Sequence, residues 1–301
     1  MTKSLPLSPL KTNEPLSRHT YFKIGGPADF FFEARTQTDL IHAIRVSLKH
    51  QLPYFVLGSG SNILVSDKGF QGLVIKNRAD SIRTVSVQGK TVVEVDSGTL
   101  LNKLVRYTIE EGLSGLEVFL SVPGTVGGAI YNNSHYRPEA NEFIGNLLHS
   151  ASLIDAAGQL KTVDHSYFKF NYDYSILHHT RETVVSAEFL LSGGHKDQLW
   201  RQATDLVKRR NLRQPIGIAC SGCTFRNSKS SKPAAYLIDQ AGLKGFTLGK
   251  VRVSPVHAAF IENLGGATAQ EVLQLIDHIR TTVKTKFGVT LELEIFLVGE
   301  F

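Results

Sequence analysis

Tyr54-Phe-Val-Leu57 runs straight into Gly58-Ser59-Gly60-Ser61-Asn62, and then into Ile63-Leu-Val-Ser-Asp67-Lys-Gly69-Phe70. An apolar strand that breaks into glycine lets successive backbone N–H groups converge, and such a nest accepts a pyrophosphate. A dinucleotide fingerprint of the helical kind needs a third glycine at position 63 and a helix directly after it. Position 63 is Ile63, and the residues after it read as strand and turn, so the helical form is excluded. Alone, the segment reads equally well as a plain tight turn. A second small-residue stretch, Pro123-Gly124-Thr125-Val-Gly127-Gly128-Ala129, lies further along the same half. Its plain alternative is a buried loop whose glycines allow close packing. Two such stretches in one α/β half favour a bound dinucleotide.

Around them the pattern alternates. A helix is expected over 38–50, with Leu40, Ile41, Ile44 and Leu48 on one face and a capping signal from Thr36 and Asp39. Strands are expected at 84–87, 91–95, 151–155 and 183–191, and an amphipathic helix at 100–111. The second half opens with a helix near 197–210. A longer one over 268–287 is capped by Thr268 and Glu271 and stopped by Gly288. A last strand over 290–298 alternates. Leu291, Leu293, Ile295 and Leu297 face one way, and Glu292 and Glu294 the other. Glu294 therefore reads as a solvent-facing carboxylate on pattern alone. The whole is mixed α/β, with a boundary expected near 195–215.

At 301 residues the chain can hold two or three modest domains with a well-buried core. A hydrophobic share of 42% against 20% charged excludes wholesale disorder. The net charge of +6 favours anionic partners. Two cysteines exclude a disulfide scaffold and point to a reducing compartment. The first eleven residues carry two prolines and no continuous apolar core, so no signal peptide is expected. The longest uncharged stretch, 118–136, contains Pro123, Gly124, Gly127, Gly128, Asn132 and Asn133, which does not suit a lipid-spanning helix. A cytoplasmic protein is expected.

Cys220-Ser-Gly-Cys223 allows three readings. Zinc would need two further ligands, and His257 and His278 are isolated, so no metal is expected. A thioredoxin-like dithiol would open a helix early in a small domain. The third reading is a sulfur acting as proton donor or nucleophile in an active-site loop. Its surroundings favour that: Arg201, Lys208, Arg209, Arg210, Arg213, Arg226, Lys229 and Lys232 stand against the single acid Asp205. Lys208 to Arg210 also suit the solvated end of a helix. A nucleic-acid stripe would interleave aromatics for stacking, and only Trp200 and Phe225 are at hand, so no nucleic-acid partner is expected. Arg213, Arg226 and Asn227 suit a diphosphate.

Together these segments resemble the UDP-N-acetylenolpyruvoylglucosamine reductase family. The matching stretches are Thr20-Tyr-Phe-Lys-Ile-Gly-Gly-Pro-Ala28, Leu57 to Val65, Gly112-Leu-Ser-Gly-Leu-Glu117, Ser121 to Ala129 and Ser221-Gly-Cys-Thr-Phe-Arg-Asn227. They continue through Leu237-Ile-Asp-Gln-Ala-Gly-Leu-Lys-Gly245, His257-Ala-Ala-Phe-Ile and Lys286 to Glu294, in family order. The resemblance implies an α+β protein. An FAD-binding domain of two α/β subdomains, with a vanillyl-alcohol-oxidase-like FAD fold, would cover 1–195, split near 76. A C-terminal α+β substrate domain would cover 196–301, its last strand returning towards the FAD site. The short spacing between Gly245 and Phe260 is similar to the compact form of the family, without an extra substrate loop.

The implied reaction is NADPH-dependent, FAD-mediated reduction of UDP-N-acetylglucosamine enolpyruvate to UDP-N-acetylmuramate for bacterial peptidoglycan. FAD contacts carry over onto Gly58, Ser59, Gly60, Ser61, Asn62, Gly124, Thr125, Gly127 and Gly128. The proton donor carries over onto Cys223, a residue type with a pKa of about 8.5 that is mostly protonated at neutral pH. Arg226 and Arg213 nearby work against donation, and an apolar or anion-filled site restores it. Glu294 matches the second catalytic residue, and Arg213, Arg226 and Asn227 match the region that meets the nucleotide substrate. One position departs. Where the family has an arginine near the substrate carboxylate, Phe170-Asn-Tyr-Asp-Tyr-Ser175 places Asp173. Lys169 and Arg181 are the nearest alternative cations in sequence. Two rivals stand beside this reading: another FAD oxidoreductase of the same cofactor fold, and a flavin-binding protein that has lost the reaction.

Overall fold

The computed structural model describes residues 5–87, 89–227 and 232–301. Lys229 of the basic run and the first four residues of the N-terminal stretch lie outside them. The chain divides into two compact units. The first is Met1–Lys11, Phe30–Gly58 and Gly72–Arg209, and the second is Thr12–Asp29, Ser59–Gln71 and Arg210–Phe301.

In the first unit local signals set the helices. Thr36 and Asp39 form the expected capping box of helix Gln37–Lys49, which buries Leu40, Ala43 and Ile44. A four-stranded sheet runs in the order Leu10–Pro15, Pro27–Ala34, Phe70–Asn77, Tyr54–Leu57. Its last two strands are parallel, with Leu57 opposite Lys76. A five-stranded antiparallel sheet has the order Leu160–Asp164, Leu148–Ile154, Thr183–Leu190, Lys90–Asp96, Ile82–Val87. Helix Leu101–Glu110 packs Leu101, Leu104, Val105 and Ile109 into the core below it, with Phe119, Phe168 and Phe189.

The second unit is built on helix Ala269–Phe287, which carries the expected Thr268–Glu271 capping box and ends at Gly288 with φ +70°. Val272, Leu275, Ile276, Ile279 and Val283 pack against Val251, Val253 and Ile261 of a small antiparallel sheet. His257 sits beside that sheet, its Nδ1 accepting the Ala259 amide at 3.3 Å. Burial holds its imidazole below the usual pKa, with the Lys244 charge adding to the effect against the hydrogen bond.

The expected strand over 290–298 is corrected. Only Phe296–Val298 is strand, paired in parallel with Ile63–Val65. Upstream, Leu293 makes an isolated bridge to Phe225, and the chain bends at Ile295. The bend shifts the alternation. Leu291 and Ile295 are buried as expected, whereas Leu297 is exposed and Val298 is buried in its place. Among the described residues no helix is long and apolar enough to cross a membrane.

Two outcomes are expected. Thr268→Ala removes the cap of the longest helix and lowers unfolding free energy by about 1 kcal/mol, read as a reduced denaturant midpoint. The second concerns pH. Because His257 is harder to protonate when folded, the unfolded chain binds more protons just below pH 6.5, and stability falls as pH drops through that window. The loss levels off once pH is below the folded value. Denaturant curves of wild type and His257→Gln should converge as pH falls, and parallel curves would show that His257 contributes no slope.

Candidate functional site

Gly58, the first residue of the first glycine-rich stretch, meets the second stretch within the first unit. A Cβ on Gly58 would stand 2.5 Å from Thr125 Oγ1, so only glycine permits this approach without moving Thr125. Thr125 in turn caps the short helix Val126–Tyr131, its Oγ1 accepting the Gly128 amide. The Gly127 amide donates to the Ser97 carbonyl at 2.8 Å, and Gly124 has φ +145° with its carbonyl accepting the Leu101 amide. Thr99 Oγ1, Ser121 Oγ and Asn132 Oδ1 are buried with no hydrogen-bond partner among the described residues. Buried polar atoms are rarely left so without a ligand or water to satisfy them. Close backbone approach and unsatisfied polar atoms fit a dinucleotide held mainly by main-chain groups.

The rest of the first stretch belongs to the second unit. Gly60 has φ +72°, and a Cβ there would strike the His19 carbonyl at 2.6 Å. Ser59 donates to Ser61 Oγ at 3.2 Å. Asn62 holds the last segment of the chain at two points. Its Nδ2 donates to the Glu294 carbonyl at 3.3 Å and its carbonyl accepts the Phe296 amide at 3.0 Å.

The cysteine loop is pinned on both sides. Cys223 bridges Phe260 and Phe225 bridges Leu293. The Thr224 amide donates to Ala259, the Glu294 amide donates to Thr224, and the Arg226 amide donates to Glu292, all within 2.9 Å. Phe225 is buried as the anchor, while Cys223, Arg226 and Glu294 are half-buried. Cys223, Arg226, Glu294 and Asn62 are thus brought together by main-chain pairing. Asn227 is exposed, and its Oδ1 accepts the Ala234 amide at the start of helix Ala234–Gln240. Arg213 is exposed in the turn after helix Lys196–Asn211, its amide bonded to the Arg210 carbonyl. Both cysteines are free thiols. Burial pushes the Cys220 thiol up, the Gly222 hydrogen bond opposes this, and the Glu262 carboxylate adds to it. A thiol so placed is a poor nucleophile at neutral pH.

Asp173 is buried at φ +48° in the turn Asn171–Tyr174, and its Oδ1 lies 3.1 Å from His135 Nε2. The imidazole stacks on Tyr172 with 4.9 Å between ring centroids. The acid is turned to a histidine partner. Lys169 and Arg181 are both exposed, at the left-handed ends of short helical turns. His135 carried no signal in the sequence, because it lies 38 positions from its acid and belongs to no motif.

Comparison with known proteins agrees with this geometry. The model of the UDP-N-acetylenolpyruvoylglucosamine reductase C-terminal domain matches residues 214–298, and that of an FAD binding domain matches 28–164. The reductase of Carboxydothermus hydrogenoformans is 37% identical over 97% of this chain and 95% of its own length. That of Alkaliphilus oremlandii is 36% identical over 100% and 97%. The crystal structure of the reductase from Thermus caldophilus superposes with a TM-score of 0.79 at 30% identity, covering 96% of this chain and 98% of that one. Sequence, glycine-lined cradle and whole-chain fold agree, and the chain belongs to the UDP-N-acetylenolpyruvoylglucosamine reductase family.

Proposed function

We propose that this chain reduces the enolpyruvyl group of UDP-N-acetylenolpyruvoylglucosamine with Cys223 as the proton donor. The observation that carries the assignment is the pairing of Thr224 with Glu294, which sets the two proposed catalytic residues on adjoining backbone. Bound FAD would supply the hydride chemistry between NADPH and the methylene carbon of the enolpyruvyl group. The electron pair displaced from the double bond collects on the neighbouring carbon, which bears the carboxylate. Cys223 Sγ–H gives that carbon its proton, and the thiolate recovers a proton from solvent. Glu294 polarises the reacting group. Arg226, Arg213 and Asn227 bind the nucleotide diphosphate and sugar, and the cationic side chains offset negative charge gathered on the substrate carboxylate.

The glycine stretches are assigned to the cofactor. Gly58, Ser59, Gly60, Ser61 and Asn62 form one set of contacts, and Gly124, Thr125, Gly127 and Gly128 the other, with Gly58 and Gly60 packed so closely on Thr125 and the His19 carbonyl that a Cβ would clash. The FAD-binding part is assigned to 1–195 and the substrate domain to 196–301. A nucleotide substrate, NADPH and two free thiols support a place in the cytoplasm, where the product would serve wall growth, cell shape and division.

Two measurements test this reading. Anaerobic protein loaded with FAD should consume NADPH continuously only when the enolpyruvyl substrate is present. Flavin reduction that stops after one equivalent despite that substrate would favour either rival. Cys223→Ala should still accept hydride from NADPH while oxidation by the substrate slows by about 10²–10⁴-fold. Cys223→Ser should retain part of the rate, and unchanged turnover in Cys223→Ala would remove the proton-donor role.

A further inference from the structure

The second glycine stretch lies against residues 97–101, which join strand Lys90–Asp96 to helix Leu101–Glu110. Three main-chain bonds hold the two together. The Gly127 amide donates to the Ser97 carbonyl at 2.8 Å, the Val126 amide to the Thr99 carbonyl at 2.9 Å, and the Leu101 amide to the Gly124 carbonyl at 3.0 Å. Asn77 fixes this segment in turn. Its Nδ2 donates to Ser97 Oγ at 2.8 Å, and a Cβ on Gly98 would stand 2.6 Å from its Oδ1.

Thr99, at the centre of the segment, is fully buried. Its carbonyl is taken by Val126, and its amide donates to the Asp96 carbonyl at 3.1 Å. Its Oγ1 is buried with no hydrogen-bond partner among the described residues. Thr125, facing it across the pairing, is already engaged by the Gly128 amide. A buried hydroxyl without a partner costs free energy, and valine would fill the same space without that cost. Ser121 Oγ and Asn132 Oδ1, before and after the same glycine stretch, are buried and unpaired in the same way. Unpaired polar atoms thus border the stretch on three sides, and such atoms call for an acceptor or donor from outside the chain.

We propose that Thr99 is an FAD-binding residue, its Oγ1–H donating to an oxygen of the cofactor. It adds a side-chain donor to a cradle otherwise made of main-chain groups. The proposal rests on the assignment of the glycine stretches to FAD.

Flavin-stripped protein is titrated with FAD, following flavin fluorescence, and its denaturant midpoint is measured without flavin. Wild type is compared with Thr99→Val, and Thr99→Ser with Thr99→Ala, so that each pair differs at the hydroxyl. In each pair the member without the hydroxyl should bind FAD about 3- to 10-fold more weakly, the loss of one neutral hydrogen bond. Stripped Thr99→Val should be at least as stable as stripped wild type, because only an unpaired hydroxyl has been removed. Equal FAD affinity within both pairs overturns the proposal. So does a lower midpoint of stripped Thr99→Val, which would show the hydroxyl bonded within the chain. Should Thr99→Val fail to fold, the serine and alanine pair decides by the same two readings. Wild-type protein that binds no FAD would remove the cofactor assignment itself, a distinct result.

Discussion

Asn62 is the residue on which the joining of the glycine-rich loop to the last segment of the chain depends. Its side chain and its main-chain carbonyl grip the Glu294 carbonyl and the Phe296 amide, across 232 positions of sequence between Asn62 and Glu294. The strand Ile63–Val65 then extends that grip into parallel pairing with Phe296–Val298. Parallel neighbours so distant in sequence carry a large loop-closure cost, which the buried Leu64, Ile295 and Val298 help to offset. A glycine-rich loop and a carboxylate-bearing segment are fixed to one another by two main-chain contacts, neither of which needs a particular side chain at 294 or 296. Glu294 is thereby placed by its backbone.

The cysteine loop obeys the same rule. Its position comes from the buried Phe225 and from amide bonds of Thr224 and Arg226. Cys220, by contrast, is engaged by the Gly222 amide and held as a thiol by burial. Two cysteines three positions apart thus differ in their surroundings, Cys220 governed by burial and Cys223 set by its bridge to Phe260.

The parts legible in the sequence are those whose causes are local. Thr36 with Asp39, and Thr268 with Glu271, bracket their helices within one turn, and both capping boxes form as read. The absence of a helix after Gly58-Ser-Gly-Ser-Asn62 is set by Ile63, and strand Ile63–Val65 stands there. The final strand was less legible because its bend at Ile295 is imposed by two distant partners, the Phe225 segment and Ile63–Val65. Leu297 keeps the phase of an unbroken strand in sequence but not in space. His135 was silent for a similar reason: it acts through a partner that only folding brings near.

The turn at Asp173 has a consequence for how this chain can change. Asp173 is one of the residue types that a left-handed backbone tolerates best, and its carboxylate lies within hydrogen-bond reach of His135. Replacing Asp173 by arginine would break the contact with His135 and set a cation beside the imidazole. The turn thus ties position 173 to position 135, and a change at either residue removes the hydrogen bond that they share.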